Sequence, residues 1–285
     1  MALAVLSLPA LLGSLFMLGL LYGPCGESRL TPTDYGYSAE SVTVQAQAGG
    51  SFRGYFIPGT NRATIIMPPP LNSGRSVRLP EAAILARHGY AIFMFESRRC
   101  AGMGPLSLGY HEVEDVADAL DYLTTRPDVD PNRIGIHGFS SAGATSVMAA
   151  ARLPELRAVV AEGGYGDFIQ NSFYHYNDDL LTTYFLTLFR WAIGVTYRLV
   201  TGLDINQLSP VSVIGEIEPR PVLLIYGTRE TSLAGGHQQK AAAGDNAQLW
   251  IVEGAGHGNY LSLAPEAYEE RVVTFFDKAL QEIGD

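Results

Sequence analysis

The stretch Ile134-Gly135-Ile136-His137-Gly138-Phe139-Ser140-Ser141-Ala142-Gly143 decides the architecture of this chain. Ile134–His137 is an apolar run of strand type, and the alanine-rich segment Ala142–Arg152 reads as a helix. A strand that passes so abruptly into a helix needs a sharp, strained turn, and such a turn demands small neighbours. Gly138 and Ala142 stand two positions either side of Ser140, in the frame Gly-x-Ser-x-Gly with alanine in the last place. Centring the frame on Ser141 instead sets Gly143 at the far position but puts the bulky Phe139 at the near one. Ser140 is therefore the expected nucleophile, and the N–H of Ser141 the expected donor to an oxyanion.

Outward from this segment the chain alternates strand and helix patterns. Eight strand candidates follow in order: Ser41–Gln45, Phe52–Ile57, Ala63–Met67, Tyr90–Phe95, Ile134–His137, Ala158–Ala161, Pro221–Tyr226 and Gln248–Val252. Helical periodicity covers Arg78–His88, Glu112–Thr125, Ala142–Arg152 and Ala267–Gln281, with Val113, Val116, Ala117, Leu120 and Leu123 on one face of the second. Strands separated by helices of this length predict an α/β fold, a mostly parallel eight-stranded sheet covered on both faces. The Gly49-Gly50 turn makes the leading pair antiparallel.

One interval breaks the rhythm. About sixty residues separate Ala161 from Pro221, where a strand-to-helix connection normally takes a handful. This stretch is rich in aromatics, among them Phe173, Tyr174, Tyr176, Tyr184, Phe185, Phe189, Trp191 and Tyr197, and Leu180–Val200 reads as a long apolar helix. Arg190 and Arg198 argue against a membrane span there. A helical cap insertion at about 164–212 is the functional expectation; helical packing against the core is the plain one.

The whole chain has 285 residues, 47% hydrophobic and 17% charged, with a formal net charge of −10. That composition buries a core and excludes a disordered chain. The acidic balance excludes nucleic-acid binding, which needs a basic face. The two cysteines, Cys25 and Cys100, match no metal or redox spacing, so two unrelated thiols are expected. Met1–Tyr22 carries no charged side chain and, as a helix, is long enough for a bilayer core. No Lys or Arg precedes it, as a cleaved secretory signal would require. The segment 1–25 is thus expected to be a transmembrane helix that anchors the protein to a membrane, on a side left open, with secretion by a cleaved signal as the alternative. Residues 26–40 read as a linker and 41–285 as the catalytic domain.

A serine hydroxyl needs a base to become a nucleophile. Of six histidines, only His257 sits in a turn after the last strand, between glycines in Gly254-Ala255-Gly256-His257-Gly258. His137, inside a strand, reads as packed; His88 and His111 flank helices, and His175 and His237 read as cap or surface residues. The base in turn needs a carboxylate to hold its tautomer. Glu230 lies just past the end of Pro221–Tyr226, where that acid belongs, and Asp167 is the reserve. Ser140, Glu230 and His257 in this order, each after a strand, follow one of the known triad orders.

With these residues in hand, Ser41 to about Leu280 resembles the α/β-hydrolase superfamily, in the branch similar to dienelactone hydrolases and the catalytic domains of prolyl oligopeptidases. The resemblance rests on Gly54-Tyr55-Phe56-Ile57-Pro58 and on Glu96-Ser97-Arg98-Arg99-Cys100-Ala101-Gly102, which is similar to the family's Asp-x-Arg-Gly-x-Gly turn. It rests also on Gly109-Tyr110 with Glu112, Glu114, Asp115 and Val116, on the Ser140 turn, on Pro219–Gly227 and on the His257 loop. Several members carry an N-terminal membrane segment. Two departures stand out. Pro68-Pro69-Pro70-Leu71-Asn72 replaces the usual His-Gly of the oxyanion loop, which puts Leu71 on the donor position; proline has no N–H, but Leu71 does. Glu230 replaces the usual Asp.

The resemblance implies a cofactor-free, metal-free serine hydrolase acting on an ester, or an amide, of a small-molecule or peptide substrate with an apolar part. The alternative is a catalytically silent, membrane-tethered binding protein on the same fold. A peptidase shares every residue named.

Overall fold

The computed structural model describes residues 2–26, 29–173 and 179–281. Tyr174, His175, Tyr176 and the expected cap residues beside them lie outside the described residues. The eight strands are β1 (Glu40–Gln45), β2 (Ser51–Ile57), β3 (Thr64–Met67), β4 (Ala91–Phe95), β5 (Ile134–Phe139), β6 (Leu156–Glu162), β7 (Val222–Gly227) and β8 (Ala247–Val252). They form one sheet in the order β1-β2-β4-β3-β5-β6-β7-β8. β1 pairs with β2, and β2 with β4, antiparallel; all the remaining pairs are parallel. The sequence placed the antiparallel element in the leading pair, and the sheet extends it by one strand because β2 docks on β4.

The helices are α1 (Ala2–Tyr22), α2 (Leu79–Arg87), α3 (Tyr110–Thr124), α4 (Ser141–Arg152), α5 (Phe168–Phe173), α6 (Leu180–Thr201), α7 (Pro210–Val213), α8 (Leu233–Ala243), α9 (Tyr260–Leu263) and α10 (Pro265–Ala279). Both faces of the sheet are covered. On one side Val116, Leu120, Val147 and Ala150 meet Ile66, Phe93, Ile136 and Val159. On the other, Leu85, Tyr268, Val272 and Phe276 meet Ile65, Ile92, Val160 and Ile225. This two-faced burial is why the central strands read as unbroken apolar runs rather than alternating ones. α8 has no sequence signature of its own: Gly235 and Gly236 interrupt it and its apolar residues show no helical period. Its Gly236 lies flat on the Tyr226 ring, where a Cβ would come within 2.6 Å of a ring carbon.

α1 corrects two expectations. Among the described residues no helix is long and apolar enough to cross a membrane, so the transmembrane helix, the membrane-anchored localisation and the membrane as a partner are set aside. α1 turns one face inward instead: Met17 and Leu21 are fully buried in a third cluster with Ile193 and Tyr197 of α6. Ser14 and Thr196 join the two helices through a 2.9 Å hydroxyl contact. The second correction concerns the cysteines, which are bonded to each other as Cys25–Cys100. Spacing rules compare cysteines near in sequence; these are 75 residues apart and meet only because α1 folds back over the turn after β4.

Candidate active site

Ser140 sits at the junction of β5 and α4 with φ 58° and ψ −125°, in the left-handed region that costs a side-chain-bearing residue about 1–3 kcal/mol. The turn is possible only because position 138 has no side chain: a Cβ on Gly138 would lie 2.1 Å from Ala142 O and 2.3 Å from Ser146 Oγ. The backbone N–H of Ser140 donates to Glu162 O on β6 at 2.7 Å, which ties the strained residue to the neighbouring strand.

The loop after β8 brings His257 over the same sheet edge. Its Nε2 lies 2.9 Å from Ser140 Oγ and its Nδ1 2.8 Å from Glu230 Oε1. Glu230 follows β7 and is 9% exposed, whereas His257 is exposed at the mouth of the site. The second carboxylate oxygen, Oε2, accepts the Gly227 N–H at 2.9 Å. Asp167 is used elsewhere: its Oδ1 accepts the Gln170 N–H at 2.9 Å at the start of α5. Ser141, the rival nucleophile, turns its hydroxyl to the proline loop, where Oγ accepts the Leu71 N–H at 2.8 Å. Leu71 itself has a positive φ of 40°. The structure therefore brings Ser140, His257 and Glu230 together and sets Ser141 and Leu71 beside them, with the Leu71 N–H already engaged.

Several contributors have no signal in the sequence. Tyr260, at the start of α9, donates its hydroxyl to the same Glu230 Oε1 that faces His257. Burial, with the carboxylate beside it, holds the Tyr260 phenol far above its ordinary value, so it stays a donor. Phe139 lies under the imidazole with ring centroids 4.7 Å apart. Arg78 in turn stands 4.4 Å from the Phe139 centroid. Its guanidinium is paired with Glu162 at 2.6 Å and Glu81 at 2.9 Å. His137 Nε2 meets Glu162 Oε1 at 2.8 Å, so it is packed as its strand position implied. Burial pushes the Glu162 carboxyl up, but Arg78 and His137 outweigh it and hold the group below its ordinary value. The buried Arg78 and Glu162 charges thus pair with each other beneath the site, the form in which buried charge is tolerable.

A cavity of about 440 Å³ opens directly on Ser140 and Ser141. Its walls are mainly Leu71, Leu108, Tyr165 and Phe168 together with Phe16 and Leu20 of α1, with the hydroxyl residues Thr231 and Ser232 on one side. No group of His, Cys, Asp and Glu among the described residues is arranged to hold a metal ion.

An eight-stranded, mostly parallel sheet with a strained serine at its central strand-to-helix turn is an α/β hydrolase, and the comparisons with known proteins agree. Residues 30–193, more than half of the chain, match the X-Pro dipeptidyl-peptidase (S15) family, and the chain belongs to that family of hydrolases. It is 25% identical over 264 residues to the uncharacterized protein YfhR of Escherichia coli strain K12, spanning 86% of this chain and 82% of that one. Among solved structures it is similar to the Pyrococcus furiosus esterase Pf2001, with a TM-score of 0.69 at 18% identity over 90% of this chain and 98% of the other. The acylaminoacyl peptidase of Pyrococcus horikoshii superposes with a TM-score of 0.63 at 18% identity, over 87% of this chain and 43% of that one.

Proposed function

We propose that the protein is a serine hydrolase that cleaves a carboxylic ester through an acyl-enzyme on Ser140. The observation that carries this reading is the unbroken relay from Ser140 Oγ to His257 Nε2 at 2.9 Å and from His257 Nδ1 to Glu230 Oε1 at 2.8 Å. Ser140 Oγ attacks the carbonyl carbon while its proton passes to His257 Nε2. Glu230 steadies the resulting imidazolium. The tetrahedral oxyanion is held by the Ser141 N–H and by the Leu71 N–H, which the Ser141 hydroxyl releases as it turns away; each such donor contributes about 3 kcal/mol. The carbon–oxygen bond to the alcohol breaks, and His257 returns the proton to the departing oxygen. Water then attacks the acyl-enzyme by the same relay and frees the acid.

An ester is favoured over the dipeptide of the family's name. Release of a dipeptide from a chain's N-terminus requires recognition of an ammonium group, and a desolvated cation needs a carboxylate partner. The cavity beside Ser140 is lined by no charged residue, and the nearby Glu230 is already committed to His257, Tyr260 and the Gly227 N–H. The insertion between β6 and β7, with α5 and α6, serves as a cap whose apolar side chains select substrates with an apolar part.

The test is labelling with a fluorophosphonate probe followed by turnover of p-nitrophenyl esters and aminoacyl amides. Wild type should be labelled and should hydrolyse esters; Ser140→Ala should lose both while keeping its circular dichroism. A folded wild-type chain that neither labels nor turns over any ester would instead support the silent binding protein, and activity lost in Ser141→Ala but kept in Ser140→Ala would move the nucleophile.

A further inference from the structure

We infer that the cavity beside Ser140 is an acyl-chain site for esters of medium-length, neutral fatty or branched acids, and that helix α1 is the element that limits the chain. This rests on Ser140 acting as the nucleophile.

The cavity's position assigns it to the acyl side of the ester. A leaving alcohol has to lie within reach of His257 Nε2, which returns its proton. The cavity is lined by Ser140, Ser141 and the Leu71 loop and not by His257, so a carbonyl carbon on Ser140 sends its acyl substituent into the cavity and its alcohol outward past the exposed imidazole. The walls offer apolar contact and no charge. The polar groups in the lining are small or spent: Thr231 and Ser232 offer only hydroxyls, Tyr165 gives its hydroxyl to Leu108 O at 2.5 Å, and the Leu71 N–H is taken by Ser141 Oγ. A neutral hydrocarbon chain is the ligand that such a lining does not penalise.

α1 supplies Phe16 and Leu20 to the cavity wall. That wall is held in place at several points. Leu20 O accepts Asn72 Nδ2 at 3.2 Å, and Leu21 O accepts the Leu106 N–H at 3.0 Å. The strand-like bridge continues with Gly26 N–H to Asn72 O at 2.6 Å and Gly74 N–H to Gly26 O at 2.8 Å. Cys25–Cys100 closes the set. Asn72 follows Leu71, so the oxyanion loop and the acyl wall are fastened to each other. The segment that composition marks as a membrane anchor is thus spent on the site itself. Its two cavity residues differ in setting: Phe16 is partly exposed at the rim, whereas Leu20 is half-buried inside.

The experiment is a p-nitrophenyl ester series of two, four, eight and sixteen acyl carbons on the full chain, with fluorophosphonate labelling alongside. kcat/KM should rise by about fourfold for each methylene that enters the cavity, reach its maximum at intermediate length and fall for the sixteen-carbon ester. Leu20→Trp, which fills the cavity, should lower the ratio of the eight-carbon to the two-carbon kcat/KM at least tenfold. Phe16→Ala, which opens the cavity on its exposed side, should shift the maximum to longer chains. Leu11→Ala, on the exposed face of α1, should leave the profile where it is and so controls for loosened packing of the helix. Labelling and acetate turnover with no dependence on chain length, or a profile that neither α1 variant moves, overturns the acyl site while Ser140 chemistry stands. Absence of labelling and of all turnover removes the Ser140 reading and the acyl site with it.

Discussion

Gly163 stands directly against His257: a Cβ built on it would lie 2.9 Å from His257 Nδ1 and 3.0 Å from Glu230 Oε1, and 2.5 Å from the Tyr260 hydroxyl. The residue follows β6 with φ +57°, so both its backbone and its missing side chain make room for the relay. Gly163→Ala should therefore wedge the base from its acid. We expect kcat/KM for esters to fall by two orders of magnitude or more, since a displacement of about 1 Å at a catalytic group is worth about a hundredfold, with the far-ultraviolet circular dichroism unchanged. Retention of more than a tenth of wild-type activity would contradict this account of the site.

Glu230 carries an equally direct test. Glu230→Gln keeps the size of the side chain but removes the charge that stabilises the imidazolium, and it can hold the wrong tautomer. Turnover should drop by about 10⁴-fold, as when a triad acid is made an amide. Tyr260→Phe removes the hydrogen bond to the same carboxylate oxygen and should cost far less, about tenfold in kcat with KM nearly unchanged, because Glu230 Oε2 is still fixed by the Gly227 N–H. A Glu230→Gln enzyme within tenfold of wild type would show that another group supplies the charge.

The parts of the molecule legible in the sequence are those set by local rules. The Ser140 turn announces itself because strand, small residues and helix must fall in fixed order along the chain, and the central strands because burial on both faces makes them uniformly apolar. Glu230 and His257 stand out as candidates by their places after β7 and β8, and the fold sets them 2.8 Å apart. What stayed hidden depends on contacts between distant segments. Tyr260 and Arg78 are ordinary residues of short helical stretches until the fold sets one on Glu230 and the other on Glu162. α1 misleads for a related reason: hydropathy counts apolar residues without saying whether lipid or protein covers them, and here Met17 and Leu21 are covered by the chain itself. The disulfide follows from that packing and from nothing in the cysteine spacing.

The Cys25–Cys100 bond closes a span of 75 residues, and by loss of chain entropy in the unfolded state a loop of that size is worth about 4 kcal/mol. Exchanging both cysteines for serine should lower the urea midpoint accordingly and steepen the transition, because the freed unfolded chain exposes more surface. Dithiothreitol should produce the same shift in the wild type and none in the double variant. An identical midpoint for oxidised and reduced wild type would mean that the bond contributes nothing to the native state.

The turn that carries Cys100 has a second fastening, and it gives stability an unusual dependence on pH. Arg98 grips Asp115 of α3 through Nε at 3.0 Å and Nη2 at 2.7 Å, and both side chains are buried. Burial pushes the Asp115 carboxyl up to about 6 from an ordinary value of 3.8, because the loss of water outweighs what Arg98 returns. The folded protein therefore binds this proton more tightly than the unfolded chain does. The stability that the group contributes is fully present below about pH 4, and it is lost as the pH rises through about 6. Asp115→Asn cannot titrate and keeps a neutral hydrogen-bonding group beside Arg98 at every pH, as the protonated wild type does. Urea unfolding of the two proteins at pH 7, 5.5 and 4.5 should therefore show the wild type gaining stability relative to the variant as the pH falls. An exposed ion pair would give the opposite trend, so a wild type that loses ground to the variant on acidification would overturn the prediction.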